Sequence, residues 1–322
     1  MKLLEVENLT TYYKLKEGYV RACDNINLQL EQGEALGLVG ESASGKTTAA
    51  LSLVKLLPDN AKVVAGKISI EGRDISRAME DELRRIRWKE IAIVFQGAMN
   101  ALNPVRRVGD QIVEALRIHD MMTEREAYLR TAELFEQVEI DPSRIKEYPH
   151  EFSGGMRQRV MIAMAVACNP KIVIGDEPTT ALDVMVQAQV LQLLEKLRRE
   201  RRMGMILITH DLSVVGETCD RVAVMYAGQI VECGPTEKIF ENPAHPYTRA
   251  LIASFPNIEG KRHLAHSIPG NPPNLLYPPT GCRFHERCSE AFGPCSAEEP
   301  QPVELSAGHL AHCHLLRGGV SA

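Results

Sequence analysis

The chain has 322 residues, of which 44% are hydrophobic and 25% charged, and its formal net charge is −5 at pH 7. These values are typical of a soluble globular chain with one large domain or two ordinary ones. The acidic balance disfavours a dedicated nucleic-acid binder, which usually carries a basic surface. No apolar run approaches the roughly 18 residues that span a bilayer, and residues 1–7 lack the apolar core of a signal peptide. We therefore expect a cytosolic protein without a nucleic-acid partner.

Predicted strands and helices alternate over the first 235 residues, which favours a parallel sheet. Alternating and compact apolar runs predict strands at 2–6, 25–30, 35–39, 91–95, 171–174, 205–209, 221–225 and 229–231. Helical periodicity predicts helices over 46–57, most of 108–160, and 187–202, the first of them ended by Pro58. Residues 61–75 predict a hairpin that turns at Ala65 and Gly66.

The composition changes after about residue 235. Proline is dense from Pro243 to Pro302, and the periodicity fades. We predict a first domain over 1–235, with a helical subdomain at about 98–165, and a small, loop-rich C-terminal extension over 236–322. Such an extension needs something other than a large core to hold its order.

Four of the eight cysteines lie in the last 41 residues of the chain, with the spacing C-x5-C-x6-C-x17-C. A reducing compartment does not sustain structural disulfides, so Cys282, Cys288, Cys295 and Cys313 indicate a metal site. The C-x2-C spacing of zinc fingers is missing, and a [4Fe–4S] cluster tolerates varied spacing better. Zinc, with histidines nearby, and free thiols are the alternatives. Small core residues are predicted at Cys23, Cys168, Cys219 and Cys233.

A glycine-rich loop follows the apolar run at 35–39. Its sequence from Gly40 to Thr47, GESASGKT, fits the pattern G-x-x-x-x-G-K-[ST] and opens a predicted helix. Such a loop turns backbone N–H groups toward phosphate oxygens at a helix N-terminus. Lys46 would reach the β- and γ-phosphates, and the Thr47 hydroxyl would bind Mg²⁺. The predicted nucleotide-binding residues here are Gly40, Ser42, Ala43, Ser44, Gly45, Lys46, Thr47 and Thr48.

Two acidic residues follow the predicted strand at 171–174. Asp176 would lie at the carboxyl end of this strand, where a carboxylate can hold Mg²⁺ through water. Glu177 would then polarise a water molecule for in-line attack on the γ-phosphate. The pair predicts nucleotide hydrolysis.

The octet from Phe152 to Arg159, FSGGMRQR, resembles the LSGGQ-type signature of ABC ATPases. Its small residues would begin a helix whose N–H groups meet an anion. The remaining elements of that family follow in order: Gln96 for the Q-loop, Asp183 for the D-loop and His210 for the switch histidine. Tyr13 lies where the family keeps an aromatic that stacks on adenine, and a packing role for Tyr13 is the alternative.

This resemblance covers about residues 1–235 and implies an α/β P-loop NTPase fold with an antiparallel β portion and a helical subdomain. It implies that Glu177, His210 and Gln96 are catalytic, and that Gln96 also reaches the Mg²⁺ ion. Two cassettes would close head to tail, so that each completes the ATP site of the other. The residues that would meet the opposite subunit's nucleotide are Ser153, Gly154, Gly155, Gln158 and Asp183.

Two positions depart from the family pattern. Ala43 stands where close relatives have glycine, and Gly175 stands where alanine precedes the aspartate. If residue 43 needs a positive φ, its methyl group costs on the order of 1 kcal/mol. We expect weaker nucleotide binding at most.

Three further segments resemble the oligopeptide/dipeptide importer branch: 99–104, 179–184 and 242–248, the last reading NPAHPYT. Some ATPases of this branch carry a four-cysteine [4Fe–4S] cluster. The resemblance implies a peripheral ATPase on the cytoplasmic face of the inner membrane, which uses ATP and Mg²⁺. Its partners would be two permease subunits, a second and related ATPase chain and, indirectly, an extracytoplasmic peptide-binding protein. An ATPase of a nickel or glutathione importer, or a non-transport ABC ATPase, is the alternative.

Overall fold

The computed structural model describes residues 2–95, 101–180, 182–254 and 268–318. Its strands are β1 Lys2–Lys14, β2 Tyr19–Glu31, β3 Ala35–Val39, β4 Ala61–Ile70, β5 Arg73–Asp74, β6 Ile91–Val94, β7 Ile172–Asp176, β8 Gly204–Ile208, β9 Arg221–Tyr226, β10 Gln229–Pro235, β11 Val303–Ser306 and β12 His309–Ala311. Its α-helices are α1 Lys46–Leu53, α2 Glu80–Ile86, α3 Val108–His119, α4 Glu124–Gln137, α5 Gly154–Ala165, α6 Val184–Arg201, α7 Leu212–Thr218, α8 Thr236–Glu241, α9 Pro246–Ala253 and α10 Gly293–Ala297.

The described residues form two compact units, and the first comprises Met1–Leu4, Leu30–Ala35 and Ser69–Ile208. In this unit β6, β7 and β8 pair in parallel, with Ile91 opposite Ile172 and Ile172 opposite Gly204. Strands β7 and β8 are buried along their whole length, as parallel strands covered on both faces must be. Strand β7 ends with Asp176, and Glu177 follows it, so the acidic pair lies at the carboxyl end of this strand.

Helices α3 to α6 belong to this first unit and share one apolar core with its strands. The fully buried side chains of Ile112, Leu134 and Val160 represent α3, α4 and α5 in this core. A capping box begins α4, because the Thr123 hydroxyl accepts from Glu126 N–H and the Glu126 carboxylate accepts from Thr123 N–H. The predicted helical region at 108–160 is therefore three helices with short 3₁₀ turns between α4 and α5.

The second unit comprises Glu5–Gln29, Leu36–Ile68 and Thr209–Ala322. Its strands β11, β12, β10, β9 and β3 are neighbours in that order, and β3 pairs with β9 in parallel. The pairs β9 with β10, β10 with β12 and β12 with β11 are antiparallel. Two strands from the end of the chain thus extend the strand order that begins with β3.

One prediction about local structure, the position of the turn within 61–75, is wrong. Residues 61–75 do form a hairpin, because β4 pairs with β5 in antiparallel fashion, but β4 runs through Ala65 and Gly66 and the turn lies at Glu71 and Gly72. The extension predicted as loop-rich contains the short elements α8, α9, α10, β11 and β12, and most of its described residues lie in loops between them. The division of the chain at residue 235 stays a prediction. In the described part of the chain, we find no helix that is both long and apolar enough to cross a membrane.

Candidate functional site

The phosphate loop joins β3 to α1, as the sequence predicts. Gly45 is the N-cap residue of α1 with φ 106°, and a Cβ there would lie 2.1 Å from the Ala22 carbonyl oxygen. At Gly40 a Cβ would lie 2.0 Å from the Met225 carbonyl oxygen. Neither position can carry a side chain, so both glycines of the motif are required by the packing of the loop.

Lys46 is the first residue of α1, and its side chain is 7% exposed. Its ammonium donates to the carbonyl oxygens of Gly40 and Glu41, at 2.7 and 2.8 Å, and to the Ser44 hydroxyl at 3.2 Å. A buried charge needs such partners. They hold the cation inside the loop, where a polyphosphate would meet it.

Ala43 has a φ of 63°, in the left-handed region. The conformational cost that we anticipated for a methyl group at a positive φ therefore applies to Ala43. Replacing Ala43 with glycine should raise the free energy of unfolding by up to about 1 kcal/mol, because glycine adopts this φ without strain. Urea denaturation measures the change. As a matched control, Ala49→Gly in the interior of α1 should lower the free energy of unfolding by about 1 kcal/mol or more. A loss of stability in Ala43→Gly would contradict the prediction.

Tyr13 lies on β1 with its hydroxyl 3.3 Å from the Thr48 hydroxyl of α1. The tyrosine is half-buried, whereas Ser42 and Thr47 are exposed. This contact places Tyr13 beside the helix that follows the phosphate loop. It is compatible with both the adenine-stacking and the packing interpretations.

Asp176 and Glu177 lie at the carboxyl end of β7, as predicted. Asp176 is 2% exposed and stands opposite Ile208 of β8. Glu177 has a φ of 48°, its N–H donates to the Ile208 carbonyl, and its carboxylate accepts from the Thr180 hydroxyl at 2.9 Å. A non-glycine residue in the left-handed region is unusual and marks a local constraint, often at a functional site.

The predicted signature begins helix α5. Ser153 is the N-cap residue, and its hydroxyl accepts from Met156 N–H. At Gly155 a Cβ would lie 2.3 Å from a methyl of Val186, so α5 and α6 approach closely there. Gln158 is 5% exposed within α5. Gly154 and Gly155 themselves carry no side chain in the first turn of α5.

The remaining predicted site residues are Asp183, His210 and Gln96. Asp183 is the N-cap residue of α6 and accepts from Val186 N–H at 3.0 Å. His210 is exposed and follows β8. The first unit contains Asp176, Glu177, Asp183 and the signature, and the second contains the phosphate loop, Tyr13 and His210. Gln96 lies outside the described residues.

The four C-terminal cysteines interact electrostatically. Burial, which is the largest cause, and the charges of Cys295, Cys313 and Cys288 together raise the pKa of the Cys282 thiol to about 11. Burial likewise raises the pKa of Cys288 and of Cys313. Within the described ranges, no three or more His, Cys, Asp or Glu side chains are placed to hold one metal ion.

Hydrogen bonds from backbone N–H groups to three of these thiols partly offset the rise in their pKa that burial causes. Each donor lies two residues after its cysteine: Phe284 for Cys282, Glu290 for Cys288 and Leu315 for Cys313. Such donors stabilise a thiolate.

Two residues that were not predicted to reach the phosphate loop contact it. Arg287 donates to the carboxylate of Glu41, and the Tyr247 hydroxyl accepts from Glu41 N–H. The segment from His245 to Tyr247 forms the turn that starts α9, with His245 as the N-cap residue. The sequence holds no signal for the long-range contact of Tyr247.

Comparisons with known proteins agree with this architecture. The family model described as "ABC transporter" matches residues 23–180. The dimeric structure of MJ0796, a bacterial ABC transporter cassette, superposes with a TM-score of 0.65 at 30% identity, and covers 73% of this chain and 99% of that one. The fold and the phosphate loop define an ABC-type P-loop ATPase, and the predicted fold class is confirmed at that level.

The C-terminal region shows which branch of the ABC ATPases this chain belongs to. The family model "Oligopeptide/dipeptide transporter, C-terminal region" matches residues 231–295. The oligopeptide transport ATP-binding protein OppD of Escherichia coli is 45% identical over 313 residues, covering 97% of this chain and 92% of OppD. OppD of Haemophilus influenzae is 44% identical, with 97% of both chains covered. The chain belongs to the ABC ATP-binding proteins of the oligopeptide/dipeptide transporter family.

Proposed function

We propose that this chain hydrolyses ATP to energise the import of dipeptides or oligopeptides. The observation that carries the proposal is the combination of a complete phosphate loop with a C-terminal region of the oligopeptide/dipeptide transporter type. The relatives described above are named for oligopeptide transport. Related importers of nickel or glutathione share the same chemistry in their ATPase and are the alternative.

Each residue of the candidate site has a role in this proposal. Lys46 binds the β- and γ-phosphates, and its buried ammonium is already aligned by three oxygens of the loop. Thr47, Gln96 and Asp176 would hold Mg²⁺, the ion that neutralises the developing charge on the phosphates. Glu177 accepts a proton from the attacking water. His210 holds the γ-phosphate and the water in line, and Tyr13 contacts adenine.

The proposal includes a second cassette. The first turn of α5 presents Gly154 and Gly155 N–H groups, which suit the γ-phosphate of an ATP bound by the other subunit. Ser153, Gln158 and Asp183 line the same contact. The second cassette would be a related but distinct chain. Both would dock on two permease subunits at the cytoplasmic face of the inner membrane, with an extracytoplasmic peptide-binding protein delivering cargo.

Reconstitution tests the transport function. The chain, its companion ATPase and the two permeases are assembled in proteoliposomes, with the binding protein on the outer side. We expect uptake of labelled di- or oligopeptide that requires ATP on the side of the ATPase. Uptake of Ni²⁺ or glutathione, with peptides excluded, would replace the peptide assignment by one of the alternatives.

The four C-terminal cysteines suit a [4Fe–4S] cluster in a small cysteine-rich extension. Their thiols interact with one another, and Cys295 and Cys313 are buried. Three of the sulfurs accept backbone N–H groups, which is the kind of hydrogen bond that tunes such clusters. A bound cluster would cross-link the segments that carry the four cysteines. Zinc held by the same cysteines is the alternative.

Anaerobic purification tests the metal assignment. We expect a brown protein with iron and acid-labile sulfide, and an EPR signal after one-electron reduction. Cys295→Ser should lose most of the colour, because Cys295 is among the most buried of the four thiols. Cys168→Ser serves as the matched control, since Cys168 is a buried thiol near the Ala115 carbonyl. A colourless protein with stoichiometric zinc would contradict the cluster.

A further inference from the structure

Glu41, the second residue of the phosphate loop, is held by two side chains from the C-terminal part of the second unit. Arg287 donates two hydrogen bonds to its carboxylate, at 2.7 and 3.0 Å. The Tyr247 hydroxyl accepts from the Glu41 backbone N–H at 2.9 Å. Side chain and backbone of one loop residue are thus fixed at the same time.

The guanidinium of Arg287 is fixed independently of Glu41. Its side chain is 5% exposed, and its Nε donates to the Pro269 carbonyl oxygen at 2.7 Å. It also lies over the ring of Tyr226, with 5.7 Å between Cζ and the ring centroid. A planar, bidentate arginine that is already ordered imposes its geometry on the carboxylate it binds. Arg287 therefore fixes the position of the Glu41 carboxylate, and not the reverse.

Tyr247 is equally fixed. It is fully buried, and its ring packs against Tyr226 and Phe284 with centroids 4.5 and 5.3 Å apart. Three packed aromatic rings leave the hydroxyl little freedom. The N–H that it receives belongs to the same residue whose carbonyl oxygen accepts from the Lys46 ammonium.

Arg287 is also adjacent to the cysteine group. It ends the 3₁₀ turn His285–Arg287, immediately before Cys288, and the first N–H of that turn donates to the Cys282 carbonyl oxygen. The position of the guanidinium therefore depends on the fold of the segment between two of the cysteines.

We propose that Arg287 and Tyr247 are positioning residues for ATP binding: they hold Glu41 so that the phosphate loop keeps the shape that accepts the nucleotide. The affinity for ATP then depends on the folded C-terminal segment as well as on the loop. This inference rests on the proposed ATPase function. It gives the segment a role in nucleotide binding without a direct contact to the nucleotide.

Calorimetric titration with MgATP tests the inference on the full-length chain. Arg287→Met, which removes the charge and keeps the bulk, is expected to raise the Kd for ATP about tenfold, a loss of about 1.4 kcal/mol. The KM for ATP should rise similarly, while kcat at saturating ATP stays within about twofold of the original, as expected when an interaction equal in ground and transition state is lost. Arg287→Lys should restore part of the affinity.

The matched control is Arg249→Met. Arg249 forms an exposed ion pair with Glu290 at 3.0 Å in the same part of the chain, and its described contacts do not include the phosphate loop. Its Kd for ATP should equal that of the original chain. Equal losses in both methionine variants would mean a general disturbance of the segment and would overturn the inference.

Two further measurements keep the test decisive. If Arg287→Met fails to fold, Tyr247→Phe removes one hydroxyl and keeps the ring, and its Kd should rise about fivefold, as for one lost hydrogen bond of about 1 kcal/mol. The double variant Glu41→Gln with Arg287→Met should be no weaker than Arg287→Met alone, because the two residues act through one contact. Unchanged Kd values in the folded variants would refute the inference. Failure of the original chain to bind ATP would instead refute the proposed function.

Discussion

Replacing Glu177 with glutamine is expected to reduce ATP turnover at least about 100-fold, the contribution of a positioned general base. Glutamine keeps the size of the side chain but cannot accept the proton of the attacking water. The carboxylate that is lost is held by the Thr180 hydroxyl, and the backbone is fixed by a hydrogen bond to Ile208. ATP affinity should remain, and nucleotide-bound dimers of cassettes should accumulate. Phosphate release, calorimetry and size-exclusion chromatography measure the three quantities.

The control for this variant is Glu241→Gln, an exposed glutamate at the end of α8. It should hydrolyse ATP at the original rate. Turnover at the original rate in Glu177→Gln would show that another group accepts the proton. Loss of ATP binding in the same variant would show that Glu177 supports the nucleotide site itself.

Replacing Lys46 with alanine should abolish measurable ATP binding. The ammonium is the buried cation of the loop, and its three oxygen partners align it. Hydrogen bonds to charged groups are worth about 1.5–3 kcal/mol, so the loss of several to the phosphates should weaken binding at least about 100-fold. Calorimetry at increasing ATP concentration measures the Kd.

Lys62→Ala is the matched control, since Lys62 is an exposed lysine on β4. It should bind ATP as the original chain does. Thermal unfolding without nucleotide separates a folding defect in Lys46→Ala from a binding defect. Unchanged affinity in a folded Lys46→Ala protein would remove Lys46 from the site.

The parts of the site that could be predicted from the sequence are local. The phosphate loop, the acidic pair after β7 and the serine that caps α5 are each set by a few adjacent residues. Short-range rules on capping, positive φ and buried runs decide such segments. The positive φ at Ala43 is suggested only by the glycine that relatives have at this position.

The parts that could not be predicted depend on distant residues. Glu41 and Arg287 are 246 positions apart, and Glu41 and Tyr247 are 206 apart, so no local pattern joins them. The error over 61–75 has a related cause. Gly66 reads as a turn in isolation, but there the strand passes so close to β1 that a Cβ would lie 2.6 Å from the Asn8 carbonyl oxygen.

The last strands of the chain have a consequence for how the protein avoids self-association. Without β12, the outer N–H and C=O groups of β10 would form an open edge, a template for pairing with another copy. With it, the sheet ends instead in β11, a strand of four residues that carries a glutamate and is mostly exposed. Short, charged edge strands resist such pairing. A cassette shortened after Pro235 would lose this protection and should aggregate, however complete its catalytic residues.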